Sequence, residues 1–187
     1  MGPALDRASR ALAAGELVVF PTDTLWGLGA RAEDASAVAR LLRAKDRPGT
    51  QPLSAAVSSL EELETFGRLS RSARAFVRRH LPGPFTVLVR PTALAQRRLA
   101  PAVAGGRTIG LRLPDHPVAR ELARRSGPVV ATSANRHGAP PARTLGEARR
   151  AFGGSVRAYL PARPAPSGRP SEIVDLTGAR PRGVARR

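Results

Sequence analysis

Four short segments of this sequence put hydroxyls, glycines and cations where the strands of a sheet would end. The first is Pro21-Thr22-Asp23-Thr24-Leu25-Trp26-Gly27-Leu28-Gly29, directly after the apolar run Leu17–Phe20. Ligand sites in open α/β sheets favour the carboxyl ends of strands. Thr22 and Thr24 offer hydroxyls there, and the glycines let a ligand approach the backbone. A capped turn with a packed Trp26 would have the same residues. The second segment, Lys45-Asp46-Arg47-Pro48, leaves a helix C-terminus, where the dipole favours cations, so helix capping is one reading. The other is a clamp for phosphate oxygens, a compact ammonium beside a planar guanidinium fork. Lys45 is the single lysine among 31 basic residues, which makes its geometry worth attention.

The third segment, Thr132-Ser133-Ala134-Asn135, follows the apolar Val129–Ala131. On an extended backbone, residues two apart point the same way. Ser133 and Asn135 together could then hold a phosphate, a metal-bound water or a base edge, although ordinary turn chemistry explains them as well. In the fourth, Thr108–Arg112, period two sets Thr108, Gly110 and Arg112 on one face against Ile109 and Leu111 on the other. An arginine at the end of such a strand suits a bidentate grip on a carboxylate, or is an exposed edge residue. Other signatures are missing. There is no phosphate loop of the Gly-x-x-x-x-Gly-Lys-Ser/Thr type and no Gly-x-Gly-x-x-Gly after a strand. The three histidines have no His-x-x-x-His spacing, and no Ser-His-Asp arrangement can be argued.

The elements that must position these segments alternate along the chain. Helices are expected at 3–14, at Asp34–Lys45 with Asp34 or Ser36 as its cap, from Ser59 with a Ser-x-x-Glu box to Glu62, and at Arg71–His80, Pro117–Arg125 and Leu145–Phe152. Strands are expected at Leu17–Phe20, Pro52–Val57, Phe85–Val89, Thr108–Leu113, Val129–Thr132, Val156–Leu160 and, last, Ser171–Leu176. Pro21–Gly29 reads as a loop, and Pro161–Pro170, with four prolines and a glycine, as a loop or lid. Mixed strands and helices without repeats argue for an α/β domain with a mixed sheet.

At 187 residues the chain can bury a hydrophobic core without staples, and with 42% hydrophobic and 24% charged residues it has an ordinary globular composition. It has no cysteine, which excludes disulfides, cysteine-ligated metals and thiol catalysis. No apolar run approaches the roughly 20 residues that span a bilayer. Met1–Glu16 has no signal-peptide pattern, so a cytoplasmic location and no membrane partner are expected. The net charge of +17 should attract polyanions, unless the arginines reflect only compositional bias.

Taken in order, the segments resemble the YrdC/TsaC family, the threonylcarbamoyl-AMP synthases, over nearly the whole chain. The shared motifs are Pro21 to Gly29, the Ala-Lys-x-Arg-Pro stretch Ala44 to Pro48, Pro82 to Thr86, Arg112 to Pro117, Ser133 to Asn135, and Ser171 to Thr177. The resemblance implies an α/β fold, a single-domain twisted mixed sheet with flanking helices around a basic concave cavity. It implies one domain over 1–187 without the extra C-terminal domain of longer members. The implied reaction joins L-threonine, bicarbonate and ATP into threonylcarbamoyl-AMP and pyrophosphate with a divalent metal, Mg2+, bound through the ATP phosphates. The implied partners are tRNA and the downstream tRNA threonylcarbamoyl transferase proteins.

By position, the resemblance assigns Lys45, Arg47, Ser133 and Asn135 to the nucleotide site, with Lys45 and Arg47 as the catalytic pair. It adds Gln51, Thr108 and the late Arg186 as ATP contacts, and Thr24, Arg112 and Ser171 as threonine contacts. The chain departs from the pattern at Trp26, usually tyrosine or phenylalanine, and at Ala56, where many members have a threonine-contacting histidine. Gln51 replaces a common asparagine and Glu172 a common threonine. The competing function is a tRNA or double-stranded RNA binding protein of the same fold without synthase activity, which would not need Lys45, Arg47, Ser133 and Asn135 together.

Overall fold

Apolar runs too short for helices line up in this protein into one twisted mixed sheet. The structure, a computed structural model, describes residues 2–47, 53–161 and 163–185. Its strands are β1 (Val18–Pro21), β2 (Trp26–Arg31), β3 (Ser54–Ala56), β4 (Gly67–Arg68), β5 (Phe85–Pro91), β6 (Ile109–Arg112), β7 (Val129–Ser133), β8 (Ala158–Tyr159), β9 (Glu172–Asp175) and β10 (Arg182–Val184). They run in the order β10-β9-β5-β6-β3-β7-β2-β1-β8, with β4 on β5. The pairs β1/β8, β3/β6 and β5/β9 are parallel and the others antiparallel.

The helices are α1 (Gly2–Ala13), α2 (Ala35–Lys45), α3 (Leu60–Phe66), α4 (Arg71–His80), α5 (Ala93–Arg98), α6 (Pro101–Ala104), α7 (Pro117–Ser126) and α8 (Leu145–Phe152). Their starts follow capping chemistry. Asp34 Oδ1 accepts the N–H groups of Ser36 and Ala37 at 2.9 and 3.0 Å. Ser70 and Thr144 do the same for α4 and α8. Ser59 caps α3 as expected, but the Glu62 carboxylate turns back to the N–H and hydroxyl of Ser58, one residue before the predicted box partner.

Period two sorts the strands. Leu28, Val87, Val89, Ile109, Leu111, Val130 and Val174 face one side and are buried under α2 to α6 and α8. The opposite face is covered only in part. There, α1 and α7 pack Leu5, Leu12 and Leu122 over Val18, Phe20 and Val129. The rest of that face, over β3, β5, β6 and β9, carries Ser54, Thr86, Gly110, Arg112 and Ile173 and is left concave.

Two expectations need correction. Pro21–Gly29 is not all loop, because Trp26–Gly29 begins β2 and pairs with β1 and β7. Its glycines are strand residues facing a bulky neighbour, since a Cβ on Gly29 would lie 2.7 Å from the Phe20 ring. Nor is Ser171–Leu176 the last strand: β10 adds to its outer edge, Val184 opposite Ile173. No helix among the described residues is long and apolar enough to cross a membrane.

Candidate active site

The concave face holds a cavity of about 320 Å³. Its floor is made of small side chains: Gly27 of β2, Ser54 of β3, Gly110 of β6 and Ala131 of β7. Small residues here keep the floor low. A Cβ on Gly110 would meet the Ser54 Cβ at 3.1 Å. Thr108, Gly110 and Arg112 all line the cavity while Ile109 and Leu111 are buried in the core, as period two requires.

One wall is built by the end of α2 and the end of β7. Asp46 terminates α2 in the left-handed conformation (φ 55, ψ 35), and the Asp46 and Arg47 N–H groups bond the Arg43 and Leu42 carbonyls. This reversal brings Arg47 to the cavity, where its Nη1 donates to Thr132 Oγ1 at 3.3 Å. Burial lowers the Arg47 pKa from its ordinary value. Lys45 is 3% exposed, and its Nζ donates to the carbonyls of Ser133 and Asn135, both at 2.6 Å. Burial first, and the Arg47 charge second, push its pKa down to about 8. The lysine therefore reaches not its own helix end but a turn 88 and 90 residues away.

That turn also corrects an expectation. The extended backbone stops at Ser133, because Asn135 N–H bonds the Ser133 carbonyl at 2.9 Å. Ser133 and Asn135 thus do not point the same way. Ser133 lines the cavity, whereas the Asn135 amide turns aside and donates to the carbonyls of Arg136 and Ala139. Asn135 shapes the wall from behind.

The opposite wall is rich in hydroxyls. Thr22 Oγ1 donates to the Leu25 carbonyl at 2.7 Å and accepts the N–H groups of Thr24 and Leu25, which folds 22–25 into a tight turn. With that proton committed, Thr24 donates to Thr22 at 3.0 Å and presents its lone pairs to the cavity. Across the sheet, the buried hydroxyls of Thr86 and Ser171 lie 2.9 Å apart. Between them stands Arg112, 7% exposed, paired through Nη2 with Asp23. Asp23 thus engages one nitrogen of the guanidinium and helps to fix it in place at the cavity.

Thr24, Arg47, Thr108, Arg112, Ser133 and Ser171 line the cavity, and Lys45 and Asn135 stand behind it. Gln51 and Arg186 lie outside the described residues, as does Pro48. Sequence reasoning gave no role to Ser54, Thr86 or Thr132, or to Val184 on the overlooked β10. Period two along 52–57 would have put Ser54 on the face of Arg112 once their pairing was known. Of the departures, Trp26 is a buried wall residue, Ala56 is buried on β3 two residues from Ser54, and the Glu172 side chain is exposed.

The chain is similar to known proteins in sequence and in fold. A family model for Sua5, YciO and YrdC, described as "Telomere recombination", matches residues 10–187. The chain is 37% identical to a threonylcarbamoyl-AMP synthase of Cellvibrio japonicus over 94% of its own length and 93% of that protein's. It is 43% identical to a Mycobacterium tuberculosis protein that carries the same name provisionally, over 92% of this chain and 78% of that one. Among solved structures it is similar to P. abyssi Sua5 complexed with L-threonine, with a TM-score of 0.84 and 30% identity, covering 95% of this chain and 52% of that one.

Proposed function

The chain belongs to the Sua5/YciO/YrdC family, and on that premise we infer that it joins L-threonine, bicarbonate and ATP into threonylcarbamoyl-AMP and pyrophosphate. The observation that carries the reading is one cavity with two chemically different walls. Arg47 and the turn pinned by Lys45 form a cationic wall suited to phosphate oxygens. Thr24, Thr86, Ser171 and Arg112 form a wall of hydroxyls and one guanidinium suited to a small polar amino acid. An RNA-binding module without chemistry would need neither wall.

In the proposed reaction the threonine amine condenses with bicarbonate, releasing water and giving a carbamate. A carbamate oxygen then attacks the α-phosphorus of ATP, and the bond to the β-phosphate oxygen breaks as pyrophosphate leaves. The described lining has no histidine and no carboxylate. Rate acceleration is therefore assigned to alignment of the two reactants and to cationic stabilisation of charge building on the phosphates. Lys45 and Arg47 would supply that charge, with Ser133, Thr108, Gln51 and Arg186 as the remaining ATP contacts and Asn135 serving the nucleotide site by holding the turn behind Ser133.

A divalent cation, Mg2+, would enter on the ATP phosphates and neutralise part of their charge. A lining of hydroxyls and arginines fits a metal carried by phosphate rather than caged by protein. Among the described residues no group of three or more His, Asp or Glu could hold one. The product is a mixed anhydride and needs an acceptor, so tRNA and the downstream threonylcarbamoyl transferase proteins are the proposed partners, in the cytoplasm. The deciding assay is pyrophosphate release from ATP, expected only with both threonine and bicarbonate present. Release at the same rate without threonine would make the chain a plain ATPase.

A further inference from the structure

His116 is 1% exposed and lies outside the cavity lining, yet both ring nitrogens are engaged. Its Nδ1 lies 3.2 Å from the N–H of Val118 and caps α7 by accepting it. Its Nε2 lies 3.2 Å from the Pro164 carbonyl. A carbonyl can only accept, so Nε2 carries the proton and the ring joins two parts of the chain. On one side is the N-cap position of α7, four residues after Arg112. On the other is the proline-rich segment 163–170.

That segment runs from the His116 contact to the threonine wall. The Ser167 N–H donates to the Asp23 carbonyl at 3.2 Å and the Gly168 N–H to the Thr24 carbonyl at 2.8 Å. The Ser167 hydroxyl adds a long contact of 3.4 Å to the same Thr24 carbonyl. The segment ends at Ser171, whose hydroxyl meets Thr86. Asp23 holds Arg112, and Thr24 and Ser171 line the cavity. The backbone of the threonine wall thus rests on a segment that the imidazole fastens from outside.

We propose that His116 is a positioning residue: by holding the Pro164 carbonyl it docks segment 163–170 on Asp23 and Thr24 and so sets the hydroxyls that select the amino acid. The proposal rests on the synthase reading for its substrate, but the docking itself can be measured without any activity.

His116→Asn separates the two roles of the ring. Asparagine is a good N-cap, so the Val118 N–H keeps an acceptor, while the shorter side chain cannot reach Pro164. The melting temperature should stay within a few degrees of wild type. The Gly168 amide should exchange with solvent at least about tenfold faster, and the KM for threonine should rise about fivefold, the worth of one ordinary hydrogen bond. The KM for ATP and kcat at saturating threonine should not move. Unchanged Gly168 exchange overturns the proposal, and so does faster exchange with an unchanged threonine KM or an equal rise in both KM values.

If His116→Asn does not fold, Gly168→Ala tests the same link from the loop side. Gly168 has φ +79°, which strains an alanine, and a Cβ there would meet nothing within 4 Å. The same split between the two KM values is expected, and no split overturns the proposal. A wild-type protein that releases no pyrophosphate with threonine would sink the synthase reading, and the exchange of the Gly168 amide in His116→Asn would still decide the docking role.

Discussion

Raising the pH past 8 should weaken ATP binding, and Lys45 is the reason. Its ammonium is sealed behind the cavity wall, and burial together with the Arg47 charge brings its pKa from 10.5 down to about 8. A group with that pKa is about nine-tenths protonated at pH 7 and about one-tenth at pH 9. A bound triphosphate brings opposite charge and raises the pKa again. Binding must then draw in a proton wherever the free protein has lost it, and the dissociation constant climbs toward a limiting slope of about tenfold per pH unit. From pH 7 to pH 9 the expected rise is about tenfold. The ligand is constant across most of that window, because phosphate monoesters lose their second proton near pH 6. Calorimetry with a non-hydrolysable ATP analogue, at fixed Mg2+ and ionic strength, measures it, and Lys45→Met should flatten the profile. A constant affinity from pH 7 to 9, or a rise that survives in Lys45→Met, refutes the reasoning.

The same shift has the opposite sign for stability, which guards the test against a trivial cause. Below pH 8 the folded chain carries a buried ammonium at a cost. Between pH 8 and 10.5 the folded chain has released that proton while the unfolded chain still holds it. The unfolded state binds more protons there, so this group makes the fold stronger as pH rises, by up to about 1.4 kcal/mol per pH unit. ATP binding should therefore fail in the window where this residue strengthens the fold, so unfolding through Lys45 cannot mimic the result.

Lys45→Arg should fold and lose at least about 100-fold in synthase turnover, because a wide guanidinium cannot sit between two carbonyls at 2.6 Å without displacing the turn. Arg43→Lys, exposed two residues earlier, should not, and near-normal turnover in Lys45→Arg would strike Lys45 from the catalytic pair. Serine keeps the hydroxyl and loses a methyl worth roughly 1 kcal/mol, so it should be a poor substrate. Valine, which leaves the hydroxyl wall unpaired, should be far worse, and equal rates with threonine and valine would remove the threonine pocket. With a net charge of +17, tRNA should bind at low salt and dissociate steeply as salt rises, with little sequence preference from 4% aromatics. Binding that is absent at low salt or indifferent to it would make the arginines compositional.

Much of this arrangement is legible in the sequence where local physics decides it. Arg71–His80 and Leu145–Phe152 read to the residue because a hydroxyl cap and an apolar stripe agree. The face shared by Thr108, Gly110 and Arg112 follows from period two alone. β2 was hidden because Gly27 and Gly29 look like loop residues until Phe20 is seen to occupy the space above them. β10 was hidden because Arg182–Val184 is short and exposed, and backbone pairing to β9 makes it a strand. The partners of Lys45 were beyond reach for another reason. Its residue type announces a cation, but which carbonyls it meets depends on how β7 packs beside α2, a contact spanning 88 residues.

Those partners change what the lysine can do. An ammonium has three donors, and the carbonyls of Ser133 and Asn135 take two of them from one point. Those two bonds fix the turn that carries Ser133 to the cavity, so the charge acts on the wall from behind it. Arg112 is arranged in the same manner, tied by Asp23 before any substrate arrives. In both walls the cation is oriented by the chain's own oxygens, and these bonds are made during folding rather than during the reaction. A cavity without a general base among its described lining has this means of acceleration left to it: charges already aimed, so that little reorganisation is needed when pyrophosphate departs.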